Sequence, residues 1–150
     1  MKPYFAILAI IFILVCIILI TPALFLINPE LTPLTESITA IFRIICHQQP
    51  ERSYYIYGHQ LPVCARCTGI YTGLLTGCLL YPLFKRVSSI KIPDIKYLVL
   101  FLVPFLFDGI MQTFHIYQTS NITRTIIGIW GFIAIPFYAI PSINRIFYRE

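Results

Sequence analysis

The chain has 150 residues, 58% of them hydrophobic and 11% charged, with a formal net charge of +5 and a mean hydropathy of +0.81. Soluble domains are about half apolar and about a quarter charged, so this composition excludes an ordinary globular protein and indicates an integral membrane protein. The basic excess is not organised into the basic and aromatic array that grips nucleic acid; it reads as a topological and lipid-headgroup signal.

In chain order, the run from Tyr4 to Ile27 carries no charged side chain and exceeds the roughly 20 residues needed to cross a hydrocarbon core. A secretory leader would have a shorter apolar region and a small-residue cleavage site. This run continues past Thr21-Pro22, so a retained first span is expected. Residues Leu34 to Ile45 are apolar but short and hold Glu36 and Arg43, which predicts an interfacial or re-entrant helix opening at Thr32-Pro33 and Thr35. Three more spans are expected at about 68–84, 97–117 and 125–143, with Pro82, Pro104, Pro136 and Pro141 as kinks or end signals. The expected fold class is all-α: one integral membrane domain over residues 1–150, with four transmembrane helices, a short interfacial or re-entrant helix and a polar loop over 28–67.

The basic residues suggest an orientation. With a cytoplasmic amino terminus, Lys2, Lys85, Arg86, Lys91, Lys96, Arg145 and Arg149 lie inside, and only Arg43, Arg52, Arg66 and Arg124 lie outside. A multi-pass protein of the cell membrane is expected, with both termini cytoplasmic and the loop over 28–67 external. Gly69, Gly73 and Gly77 recur every four residues beside Thr68, Thr72 and Thr76, a spacing that permits close helix contact in lipid.

Between the first two spans lies the one polar, Cys/His-dense stretch: Cys46-His47-Gln48-Gln49-Pro50-Glu51-Arg52-Ser53, then Pro62-Val63-Cys64-Ala65-Arg66-Cys67-Thr68-Gly69. Cys64 and Cys67 have the spacing of a two-thiolate clamp at a helix start, where the helix dipole and Arg66 favour thiolate. Cys46 offers a third sulfur and His59 a fourth ligand, for zinc or another divalent ion. His47 adjoins Cys46 and is unsuited to the same ion; it is a candidate for proton transfer. Cys16 and Cys78 lie in apolar spans and receive no role.

On the third span Asp108, Gln112 and His115 share a helical face. A carboxylate inside a membrane marks a functional site, and Arg124, at the outer start of the fourth span, is its expected partner. Asp108 and His47 are thus the candidate catalytic groups. Arg52, Arg66, Gln112, Asn121 and Arg124 are the candidates for binding substrate or supporting the site.

The signature Cys46-His47-Gln48-x-Pro50-x-Arg52-Ser53, then Gly58-x-Gln60-x-Pro62-Val63-Cys64-Ala65-Arg66-Cys67-Thr68-Gly69-Ile70-Tyr71-x-Gly73, resembles the small prokaryotic membrane proteins of domain of unknown function 2085. The likeness continues in Asp108-Gly109-x-x-Gln112 and Ser120-Asn121-x-x-Arg124-x-x-x-Gly128. It implies a polytopic membrane protein with a compact polar signature, and no reaction. Three functional classes stay open: a metal-dependent enzyme acting on a lipid-linked or anionic headgroup substrate; a thiol-disulfide protein using Cys64 and Cys67 with Cys46; and a structural or partner-binding subunit of the membrane.

Overall fold

The computed structural model describes residues 2–27, 29–114 and 116–147. Its helices are α1 (Lys2–Ile27), α2 (Thr32–Arg43), α3 (Ala65–Phe84), α4 (Ile95–Thr113), α5 (Asn121–Ile133) and α6 (Pro136–Phe147), with a hairpin of β1 (Ser53–Ile56) and β2 (His59–Cys64) between α2 and α3. Four segments are long and apolar enough to cross a membrane: Pro3–Leu24, Ala65–Phe84, Ile95–Thr113 and Asn121–Phe147.

The boundaries differ from the sequence expectations for local reasons. The second and fourth spans begin earlier, at Ala65 and Asn121, because Cys64 and Ser120 are extended residues that open the helices, and the Ser120 hydroxyl accepts the Thr123 amide at 3.2 Å. The third span ends at Thr113 rather than near residue 117. The fourth breaks at Ala134-Ile135 and resumes at Pro136, a residue with no amide hydrogen and therefore at home in a first helical turn. In α2, Thr32 is the first helical residue and not the cap; Leu31 precedes it without a side-chain bond. This helix buries Thr35 and Phe42 and exposes Leu34 and Ile41, as an interfacial helix should.

The fold is helical as expected, and a two-stranded hairpin is added to it. Tyr54, Tyr55 and Ile56 are strong strand formers, and the two-residue turn Tyr57-Gly58 has φ of 52° and 81°. Positive φ at both turn positions defines the type I′ geometry that suits the twist of a hairpin. Leu61, Pro62 and Val63 of β2 are buried, and Leu61 and Val63 pack with Ile18 of α1 and Phe42 of α2.

Helices α3 and α5 run parallel with their backbones in contact. A Cβ on Gly69, Gly73 or Gly77 would strike the backbone of Thr125, Ile129 or Ile133 in turn, at 2.7 Å for Gly73 against the Ile129 carbonyl. Gly128 meets the Arg66 carbonyl, and Gly131 lies against Phe105 of α4. The small-residue stripe therefore brings two helix amino termini side by side at the end of the bundle that carries the hairpin. At the opposite end, a second cluster packs Tyr4, Cys78, Tyr81 and Ile140.

Candidate metal centre and its cavity

The chain after α2 is held in place by amides of the polar signature. Gln48, in the left-handed region at φ 49°, donates its Nε2 to the carbonyls of Thr39 and Pro62, both at 2.7 Å. Gln60 Nε2 donates to the Gln48 carbonyl at 2.8 Å and to Ser53 Oγ at 3.0 Å, while Ser53 Oγ donates to the Gln49 carbonyl at 2.8 Å. From α5, Asn121 Nδ2 donates to the Ser53 carbonyl at 3.2 Å. These bonds tie the connection after α2 to α2 itself, to the hairpin and to α5. Sequence reasoning left Gln48 and Gln60 without a role; the available signal was two amides in a short polar stretch of an oily chain.

That frame brings Cys46, Cys64 and Cys67 together, with their sulfurs all within 4.8 Å of one another. One comes from the turn after α2, one from the end of β2 and one from the first turn of α3. All five cysteines of the chain are unpaired. The Cys64 amide donates to Cys46 Sγ at 3.1 Å. Hydrogen bonds among the thiols pull Cys64 far below the ordinary thiol range and push Cys46 above it. His59 is not part of this group. It opens β2 beside the hairpin turn, five residues from Cys64, or roughly 16 Å along a strand at about 3.3 Å per residue.

The expected pairing of Asp108 with Arg124 is replaced by another. Asp108 is 1% exposed and its Oδ2 accepts Arg66 Nη2 at 2.6 Å. Gln112 Nε2 lies 2.8 and 2.9 Å from the two carboxylate oxygens, and the Tyr117 hydroxyl donates to Oδ1 at 3.0 Å. Arg124, 5% exposed, instead donates Nε to Gln112 Oε1 at 3.0 Å and Nη1 to Asn121 Oδ1 at 3.1 Å. The reason is register: α3 and α5 are parallel neighbours, so Arg66 in the first turn of α3 faces α4 as directly as Arg124 does. Asp108 is thereby enclosed by donors. Tyr117 was not foreseen, and His115 lies outside the described residues.

The three thiols line a cavity of about 380 Å³ shared with His47, Arg52, Arg66, Gln112 and Arg124, and Ile45 and Thr113 form part of its rim. Asp108 is not on its wall. A smaller chamber of about 240 Å³ adjoins it through Arg52 and Arg124 and continues along Glu51, Thr119, Ser120 and Asn121. Of the expected site residues, the structure thus gathers Cys46, His47, Arg52, Cys64, Arg66, Cys67, Gln112 and Arg124 on one cavity, with Asn121 next to it.

The family model described as "Predicted membrane protein (DUF2085)" matches residues 46–138, the stretch from the first clustered cysteine to the start of α6. An uncharacterized protein of Methanocaldococcus jannaschii is 40% identical over 111 residues, covering 74% of this chain and 71% of that protein. An uncharacterized protein of Methanothermobacter thermautotrophicus is 38% identical over 85 residues, covering 55% of this chain and 73% of the other. No solved structure matches the chain.

Proposed function

We propose that this chain, which belongs to the predicted membrane protein family DUF2085, holds a zinc-type divalent ion on Cys46, Cys64 and Cys67. The observation that carries this reading is the meeting of three thiols from three separate elements within 4.8 Å. Three thiolates bound to one zinc at about 2.3 Å would sit about 3.8 Å apart, so the cluster needs only a small contraction. Three protein ligands leave a fourth position, and the three cysteines line a cavity that also holds His47, Arg52, Arg66, Gln112 and Arg124. That is the arrangement of a site that binds or activates an oxygen of a ligand, as opposed to a closed structural site.

The reading extends to a membrane enzyme acting on a lipid-linked or anionic headgroup. His47 lines the cavity and is exposed, which suits a group that moves protons. Asp108, enclosed by Arg66, Gln112 and Tyr117, is assigned the positioning of Arg66 rather than proton transfer. The excess of basic residues around the opposite end favours an external thiol site with cytoplasmic termini.

The test is elemental analysis of protein purified without chelators. About one zinc-type ion per chain is expected, and the paired substitution Cys64→Ser with Cys67→Ser removes it. Wild-type protein that is folded, fully reduced and metal-free overturns the metal reading. A Cys64–Cys67 or Cys46 disulfide in that protein turns the assignment to dithiol chemistry.

A further inference from the structure

The cavity holds more positive charge than its carboxylates neutralise. Arg52, Arg66 and Arg124 all reach it, and among the described residues Asp108 is ion-paired with Arg66. Among the described residues, the guanidiniums of Arg52 and Arg124 have no carboxylate partner. Arg124 is almost fully buried, and among the described residues its side chain bonds only to neutral amide oxygens. Among the described residues, Arg66 Nε is buried without a hydrogen-bond partner. Both α3 and α5 point their amino termini at this place, which adds the positive ends of two helix dipoles. Buried guanidiniums left this way are unfavourable unless an anion joins them.

We infer that Arg52 and Arg124, the wall common to the two chambers, form a binding subsite for a phosphate-type oxyanion. The planar guanidinium forks suit the paired oxygens of such a group, and the smaller chamber adds the polar side chains of Thr119, Ser120 and Asn121, with Glu51 at its exposed margin. The inference rests on the reading of the cavity as one that receives an anionic headgroup, and it needs none of the thiols.

The surroundings fit an amphiphile. The rim of the larger chamber runs from Ile45, 63% exposed just beyond α2, to Thr113 at the end of α4. Helix α4 is held chiefly by α5. Ile44 and Phe114, next in sequence to Ile45 and Thr113, have bare side chains. A headgroup on the arginines would leave its chains to pass between these residues into the bilayer.

The experiment measures saturable binding to the full chain in dodecyl maltoside. Dioleoyl phosphatidic acid in mixed micelles is the lipid probe, dioleoyl phosphatidylcholine the control and inorganic phosphate the soluble probe. Arg52→Gln, which removes no hydrogen bond the fold uses, should weaken binding of the anionic probe at least about tenfold, as expected for loss of a charged hydrogen bond. Arg124→Lys, which keeps the charge and loses the fork, should weaken it less. Preference for phosphatidic acid assigns a membrane headgroup; equal competition by inorganic phosphate assigns free phosphate to the same subsite. No saturable binding of either probe, or binding indifferent to Arg52→Gln, overturns the inference. The Cys64→Ser, Cys67→Ser protein should still bind the anion; if it is folded and does not, the anion sits on the metal position and the arginine subsite is wrong. Metal-free wild-type protein that still binds through Arg52 would defeat the metal reading alone.

Discussion

At the end of the bundle remote from the thiols, Asn144 of α6 is wholly buried and donates Nδ2 to the carbonyls of Val87 and Ser89, at 2.9 and 3.0 Å. Arg145 Nε donates to Ile90 O, and Lys85 Nζ to Lys91 O. These polar groups fasten the basic connection between α3 and α4, and the adjoining cavity of about 620 Å³ is walled by apolar residues such as Leu80, Phe101 and Phe137. The thiol end also fastens its connections, through Gln48, Ser53, Gln60 and Asn121. It then carries a second set, the three cysteines, His47, Arg52 and Arg124, that lines a cavity, with the Arg124 charge answered only by neutral amide oxygens among the described residues. Polar residues that close a fold and polar residues that await a ligand are therefore separable in one molecule, by asking whether their hydrogen-bonding capacity is taken up.

Removing the buried carboxylate at the thiol end gives the largest expected effect. Asp108→Ala leaves Arg66 without its counter-charge and Gln112 without its acceptors. Deleting one partner of a buried ion pair costs about 3–5 kcal/mol, and the partial exposure of Arg66 places the expected loss near the lower figure. Thermal unfolding in detergent measures it. Asp108→Asn should lose less, because the amide oxygen still accepts from Gln112 or Tyr117. Equal stability of wild type and Asp108→Ala would mean that this carboxylate is not a structural anchor.

A smaller loss, confined to the other end, is expected from Asn144→Ala. Two backbone carbonyls lose their donor, at about 1–3 kcal/mol for buried unsatisfied groups. Asn144 Oδ1 is already buried without a partner among the described residues, which moves the figure toward the low end. Metal content and anion binding should be unchanged. Loss of either on Asn144→Ala would show that the two ends are not independent.

How much of this was legible in the sequence follows from range. Span positions were, because a long apolar run needs no partner to be recognised, as Tyr4 to Ile27 shows. The thiol cluster was, because Cys64 and Cys67 sit one helical turn apart and Cys46 shares their polar stretch. The pairing of Asp108 with Arg66 was not: it depends on which helices are neighbours, and the Gly69, Gly73 and Gly77 stripe announces a close contact without naming α5 as its partner. The hairpin was hidden for a different reason. Tyr57 and Gly58 carry the turn signal, yet interfacial tyrosines are so usual in membrane proteins that a strand run over Tyr54 to Ile56 reads as anchoring. His59 looked like a ligand because sequence spacing does not say that a straight strand will carry it away from Cys64.

The finest distinction between the two ends concerns a single hydroxyl. Tyr117, in the connection between α4 and α5, donates to Asp108 Oδ1 at 3.0 Å while much of its ring remains exposed. Desolvation, then the hydrogen bond to Asp108 and the charge of that carboxylate, raise its pKa above the usual value of 10.0, with Arg66 acting in the opposite sense. The folded form thus holds the phenol proton more tightly than the unfolded chain does. The associated stability is fully present below about pH 10 and is lost as pH rises from there through the raised folded value. Tyr117→Phe should therefore remove one tyrosine from the late-ionising part of the tyrosinate absorbance titration. The same substitution should lower neutral-pH stability modestly, because the bond to Asp108 is lost, and flatten the alkaline decline of the thermal midpoint. A difference titration between the two proteins that follows an ordinary exposed phenol would show that the hydroxyl does not hold Asp108, and that Arg66 and Gln112 alone anchor the carboxylate.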